Sequence, residues 1–150
     1  MRANTAHLFA DQLAVDLHLP FIYIVTETAK ALQREGHTTI GLLGTKFTME
    51  LPFYREGLAA FGINVLTPQP QAVRDYIQLT VKEELGHRLL KPETKAHYIA
   101  IGQELVRQGA TAIVLGCTEI PLLLSQADFA VPVFDTLQIH SAAIVEYMVS

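Results

Sequence analysis

Cysteine is almost absent from this 150-residue chain: Cys117 stands alone, so neither an internal disulfide nor a cysteine-rich metal site is expected. Histidine does not fill the gap. His7, His18, His37, His87, His97 and His140 are scattered without metal-ligand spacing, which argues against any metal centre. No apolar run approaches the ~20 residues that a membrane span needs, which argues against a membrane partner. The N-terminus lacks the charged, apolar and small-residue blocks of a signal peptide. Runs of like charge and a basic stripe are missing as well, and the net charge is −4, so a nucleic-acid partner is not expected. A reducing, cytoplasmic setting fits these absences.

What is present is apolar: 50% of the residues are hydrophobic and 17% charged, enough to bury a core in one domain or in two small lobes that share one. Repeats, low-complexity stretches and linkers are lacking, and Gly and Pro punctuate the element ends instead. Residues 4–17, "NTAHLFADQLAVDL", read as a helix capped by Asn4 or Thr5, with Leu8, Phe9, Leu13 and Leu17 as its apolar stripe. "FIYIV" (21–25) reads as a strand buried on both faces, and 27–35 as a helix stopped by Gly36. Further strands are expected at 38–44, 63–66, 111–116 and 131–134. Helices are expected at 48–61, with Pro52 in the first turn, at 71–86 and at 93–108. A short helix should follow within "CTEIPLLL", and a C-terminal one should be capped by Asp135 or Thr136.

Strands alternating with helices predict an α/β fold with a parallel sheet flanked by helices. Ligands of such sheets bind beyond the carboxyl ends of the strands. That rule singles out residues 4–7, 44–48, 117–119 and 135–136, each a polar cluster where a strand ends or should have ended. Cys117, between "AIVLG" and a helix start, should meet free backbone N–H groups and the positive end of a helix dipole, which lowers a thiol's pKa below ~8.5. The plainer alternative is a buried cysteine acting as a small hydrophobe. Thr118 and Glu119 could only cap that helix and favour its dipole. In "GTKFT", Thr45, Lys46 and Thr48 would suit a carboxylate or phosphate, although the P-loop spacing is absent and an N-cap by Thr48 is the plainer reading. Asn4 or Thr5 could likewise serve only as a cap, and His7 could only face solvent.

Taken in order and spacing, "NTAH", "IGLLGTKFT", "ATAIVLGCTEIPLLL" and "VPVFDTLQIHSAAIVEYM" resemble the aspartate/glutamate racemase family, closest to its aspartate racemase branch. The Gly-Cys-Thr-Glu stretch with the Val-Pro…Asp-Thr…Ile-His segment behind it is the specific part. The resemblance covers the whole chain but only the later portion of a usual family member, whose preceding strand-rich segment is expected to be missing here. It implies a two-lobed fold with the first lobe incomplete: 1–36 and 135–150 as its remnant, and 37–134 as the second α/β lobe. Without that segment, the "FIYIV" strand should be an exposed apolar edge.

The resemblance also implies an amino-acid racemase that needs no cofactor, neither pyridoxal phosphate nor metal, and that acts on a small acidic amino acid as a homodimer. In the family, two cysteines stand on opposite faces of the substrate α-carbon; one thiolate takes the proton and the other thiol returns one. A carbanion reprotonated from the same face regains its original configuration, so inversion needs both. By position, Cys117 matches the second-lobe cysteine. Asn4, Thr5, Thr45, Thr48, Thr118 and Glu119 match site-lining positions, and Lys46 and Lys91 are further partners for a substrate carboxylate. The position of the first cysteine is occupied by Ala3, whose methyl group can neither take nor give a proton. Activity impaired in inversion is the expectation. Two alternatives stand beside it: a single-cysteine, decarboxylase-like enzyme, and a catalytically inactive fragment that binds acidic amino acids.

Overall fold

The computed structural model describes residues 9, 14, 15 and 21–150. Most of the segment expected to form the helix at 4–17, with Ala3, Asn4, Thr5 and His7, lies outside them. From residue 21 onward the main elements are α1 (Ile24–Arg34), β1 (Thr39–Gly44), α2 (Lys46–Glu50), α3 (Pro52–Ala59), β2 (Asn64–Leu66), α4 (Gln71–Glu83), α5 (Pro92–Arg107), β3 (Ala112–Gly116), β4 (Val133–Asp135) and α6 (Thr136–Val149). Short 3₁₀ turns occupy Leu85–His87, Ile120–Leu122 and Gln126–Asp128.

The four strands form one parallel sheet in the order β2-β1-β3-β4. They fall where continuous apolar runs predict them. Successive side chains of a strand point to opposite faces. Leu43, Ile113 and Leu115 therefore join Ile77 and Val81 of α4 and Tyr98, Ile101 and Leu105 of α5 in one core cluster. Ile40, Leu42, Ala112, Val114 and Phe134 join Ala29 and Leu32 of α1 and Tyr54 and Leu58 of α3 in the other. The sheet is thus covered on both faces, as an all-parallel sheet requires. α1 packs along α6.

Three expectations need correction. "FIYIV" is not a strand: residues 21–23 carry no regular structure, and helix α1 begins at Ile24 after an extended Tyr23. A short apolar run looks alike in a buried strand and in a helix whose inner face is apolar. Here Ile24, Thr28, Ala29 and Leu32 are buried at helical spacing. The expected apolar edge disappears with the strand, since β2 and β4 form the sheet's edges. The helix expected at 48–61 is two helices, broken at Leu51, whose extended backbone (φ −73°, ψ 145°) is the conformation favoured before a proline. Pro52 starts the second of them, where its missing N–H costs nothing.

Helix ends follow the expected chemistry elsewhere. Gly36, just past α1, has φ 77°, a left-handed conformation that side chains with a Cβ disfavour. Asp135 caps α6, its Oδ1 accepting from the N–H of Leu137 (2.9 Å) and of Gln138 (3.4 Å). Thr136 is fully buried and donates its hydroxyl to the Leu115 carbonyl at 2.9 Å, tying the start of α6 to β3.

Candidate active site

The register of β1 on β3 brings two polar turns together. Gly44 pairs with Gly116 at the carboxyl ends of the central strands, and "TKFT" and "CTE" follow them directly. A Cβ on Gly44 would stand 3.1 Å from the Gly116 carbonyl and 3.1 Å from the Thr48 methyl, and a Cβ on Gly116 would stand 3.2 Å from that same methyl. The two glycines therefore let the turns approach closely.

In the first turn, Thr45 rather than Thr48 is the helix cap. Its Oγ1 accepts from the Thr48 N–H at 3.3 Å and lies 3.1 Å from the Thr48 hydroxyl. Thr48 sits inside α2 and is buried. The Lys46 backbone N–H donates to Gln78 Oε1 at 2.8 Å, so α4 already occupies one of the donors expected to serve an anion. The Lys46 ammonium donates to Asp75 Oδ1 at 2.6 Å, and that hydrogen bond holds its pKa above the usual value.

In the second turn, Cys117 is 4% exposed and shares the core cluster of Leu43, Met49, Ile77, Val81 and Tyr98. Its Sγ donates to Glu119 Oε2 at 2.9 Å. The expected depression of the thiol pKa does not occur. Burial pushes the thiol up to about 12, the Glu119 hydrogen bond adds to the rise, and backbone N–H groups of Glu119 and Ile120 oppose it. The helix dipole invoked from the sequence is missing because Ile120–Leu122 is a single 3₁₀ turn. Nor does Thr118 cap that turn: the position before it is Glu119, which makes no side-chain cap hydrogen bond. Burial opposes ionisation of Glu119, yet hydrogen bonds from the Cys117 thiol, the Thr118 hydroxyl and its own backbone N–H outweigh it and lower its pKa. The proton between sulfur and carboxylate thus belongs to sulfur.

Lys91 lies apart from both turns, at the position before α5, and pairs with Glu84 at 3.1 Å. Thr94 donates to the other Glu84 oxygen at 2.6 Å. Tyr98, which sequence reasoning did not single out, shares the core cluster of the thiol. It follows Thr94 by one helical turn on the buried face of α5, its hydroxyl lies 2.7 Å from Thr80 Oγ1, and it donates to the Ile77 carbonyl at 3.2 Å. Burial, chiefly, holds its phenol proton well above the ordinary range; the Thr80 hydrogen bond opposes the rise, and the charges that Cys117, Tyr76 and Glu84 carry when ionised add to it. Its one signal in the sequence is a second hydroxyl, one helical turn after Thr94, on a stripe that continues with Ile101 and Leu105. The structure therefore brings together Thr45, Thr48, Cys117, Thr118 and Glu119, holds Lys46 at their edge and sets Lys91 beyond Tyr98. Asn4, Thr5 and Ala3 lie outside the described residues.

Among the described residues, no group of three or more His, Cys, Asp and Glu side chains is placed to hold a metal. Nor is any helix among them long and apolar enough to cross a membrane.

Comparison with known proteins follows the same lines. Residues 1–144 match the family described as Asp/Glu/Hydantoin racemase. The chain is 26% identical over 136 residues to the broad specificity amino-acid racemase RacX of Bacillus subtilis, covering 89% of this chain and 56% of RacX. It is similar to the crystal structure of a candidate Asp/Glu racemase from Yersinia pestis, with 38% identity, a TM-score of 0.93, and coverage of 99% of this chain and 64% of that one. An aspartate racemase homologue from Pyrococcus horikoshii OT3 has 32% identity and a TM-score of 0.88, with 99% and 65% covered. The chain thus spans less than two thirds of the length of these relatives.

Proposed function

The chain belongs to the Asp/Glu/Hydantoin racemase family, and on that premise we propose that it carries the Cys117 side of a cofactor-independent site for proton transfer at the α-carbon of aspartate or glutamate. The observation that carries this reading is the placement of a proton-bearing thiol, 2.9 Å from a carboxylate, at the carboxyl end of a central strand. Thr45, Thr48, Thr118 and Lys46 surround that strand end and supply hydroxyl and ammonium donors for substrate carboxylates, with Asn4 and Thr5 as further donors by position. The α-proton of an amino acid is weakly acidic, so these donors must stabilise the developing negative charge in a site that excludes water. Lys91 would need to leave Glu84 before it could reach a substrate.

One thiol exchanges a proton on one face of the carbon. With Ala3 at the position of the second cysteine, exchange should outrun inversion. The test is incubation of the chain with L-aspartate or L-glutamate in deuterated water, followed by proton NMR and chiral chromatography. Deuterium at the α-carbon with little D-enantiomer supports the reading, and Ala3→Cys should raise the ratio of inversion to exchange. Absence of exchange with both substrates refutes it.

The near-complete burial of Cys117 favours a second reading, a chain that binds acidic amino acids without turning them over. Heat of binding in calorimetry without deuterium exchange selects it. Release of carbon dioxide from substituted malonates would instead mark the thiol as the proton donor of a decarboxylase-like enzyme.

A further inference from the structure

We infer that Glu119 is a positioning residue that keeps Cys117 in its hydrogen-donating form, so that this thiol enters proton transfer as the acid. The inference rests on the reading of Cys117 as a proton-transfer group, and it assigns Glu119 to the sulfur rather than to the substrate.

The geometry has three parts. The Sγ-to-Oε2 contact of 2.9 Å is made within the Cys-Thr-Glu turn itself, so it is fixed by two intervening peptide units rather than by a distant element. Apart from the backbone N–H groups of Glu119 and Ile120, which favour a thiolate, the remaining groups around the thiol do not. The core cluster that holds it contains Leu43 of β1, Met49 of α2, Ile77 and Val81 of α4 and Tyr98 of α5, with Tyr76 of α4 packed against it; its titratable side chains besides the thiol are the two phenols, and an ionised phenol would repel a thiolate. The two lysines expected to serve the site are engaged elsewhere, Lys46 by Asp75 and Lys91 by Glu84. A carboxylate beside a buried thiol holds the proton on sulfur, because two adjacent negative charges in a medium of low polarity repel strongly.

The step that follows is balanced. A general base of the carboxylate or thiolate class removes the α-proton, and the C–H electron pair stays on carbon. On the face that Cys117 serves, its S–H bond breaks, a C–H bond forms at the carbanion, and sulfur keeps the electron pair; with Ala3 at the position opposite, the proton returns to the face it left and the step exchanges without inverting. The thiolate left beside Glu119 is destabilised and regains a proton, which resets the acid.

Because the chain has a single cysteine, labelling with cysteine carrying ¹³C at Cβ gives one resonance whose shift reports thiol or thiolate across a pH titration. In Glu119→Gln the midpoint should fall by about one pH unit or more, a tenfold larger thiolate fraction at a given alkaline pH. Glu119→Asp keeps the charge but shortens the reach, and should shift the midpoint in the same direction by less. An unchanged or raised midpoint in both variants overturns the inference. The readout does not depend on turnover. A lowered midpoint without any deuterium exchange refutes the enzymatic reading, and with it the acid role, and leaves only the hold of Glu119 on the thiol proton. An unmoved midpoint with Cys117-dependent exchange does the reverse.

Discussion

Gly44 of β1 stands opposite Gly116 of β3, and the methyl group of Thr48 lies against both. This contact sets how closely the Thr45–Thr48 turn approaches the Cys117 turn. In Gly44→Ala the new methyl would meet the Gly116 carbonyl at 3.1 Å, a backbone atom that cannot swing aside. Overpacking of this kind costs about 1–3 kcal/mol. Urea denaturation should show that loss with an unchanged m-value, and a neutral substitution would mean that the turns are not in fixed contact.

Asp135 ends β4 and starts α6, and its carboxylate accepts from two otherwise unpaired N–H groups. Asp135→Ala should cost about 1 kcal/mol, whereas Asp135→Asn, a comparable cap, should cost much less. Equal losses in the two variants would show that the cap contributes nothing specific.

Tyr98→Phe removes a hydroxyl held by Thr80 and by the Ile77 carbonyl. Thr80 keeps the carbonyls of Tyr76 (2.9 Å) and Ile77 (3.1 Å) as acceptors, so no buried donor is orphaned. The expected loss is therefore that of an ordinary hydrogen bond, about 0.5–1.5 kcal/mol, read by chemical denaturation. A much larger loss would show that Tyr98 supports the Cys117 turn as a whole.

Stability should fall in alkali. Burial raises the pKa of the Cys117 thiol to about 12 and also raises those of Tyr54 and Tyr98, so the folded chain holds protons that the unfolded chain releases. Unfolded thiols ionise near ~8.5 and phenols near ~10. Below ~8.5 the unfolded state binds as many of these protons as the folded one, and their contribution is complete. As pH rises, that contribution erodes, and the thiol's share is gone once the folded thiol ionises near pH 12. A melting temperature that is level to about pH 8.5 and then declines is expected, with the first part of the decline abolished in Cys117→Ser. A melting temperature that rises over that range would contradict the burial of these groups.

The sheet was legible because its strands are uninterrupted apolar runs bounded by Gly, Pro and polar caps, and a parallel sheet buried on both faces leaves that mark. "FIYIV" carries the same mark but belongs to the start of α1, and only the spacing of Ile24, Thr28 and Leu32 on the folded helix distinguishes the two. The strand-end rule led to Thr45, Cys117 and Glu119, which the β1–β3 register does bring together. The protonation state of the thiol was not legible. Residue types suggest a helix dipole beside Cys117, whereas the real environment is a single 3₁₀ turn, a core of apolar side chains and one carboxylate. Tyr98 escaped notice for a related reason: its neighbours come from α4, 18 residues or more away in sequence.

The central claim is that the sulfur of Cys117 exchanges protons with an amino acid's α-carbon. The most direct measurement compares deuterium incorporation at the α-carbon of aspartate and glutamate by the unaltered chain and by Cys117→Ala. Incorporation by the unaltered chain that drops to the uncatalysed rate in the variant is the predicted result. Incorporation that is equal in the two would contradict the claim and leave Cys117 as a core residue.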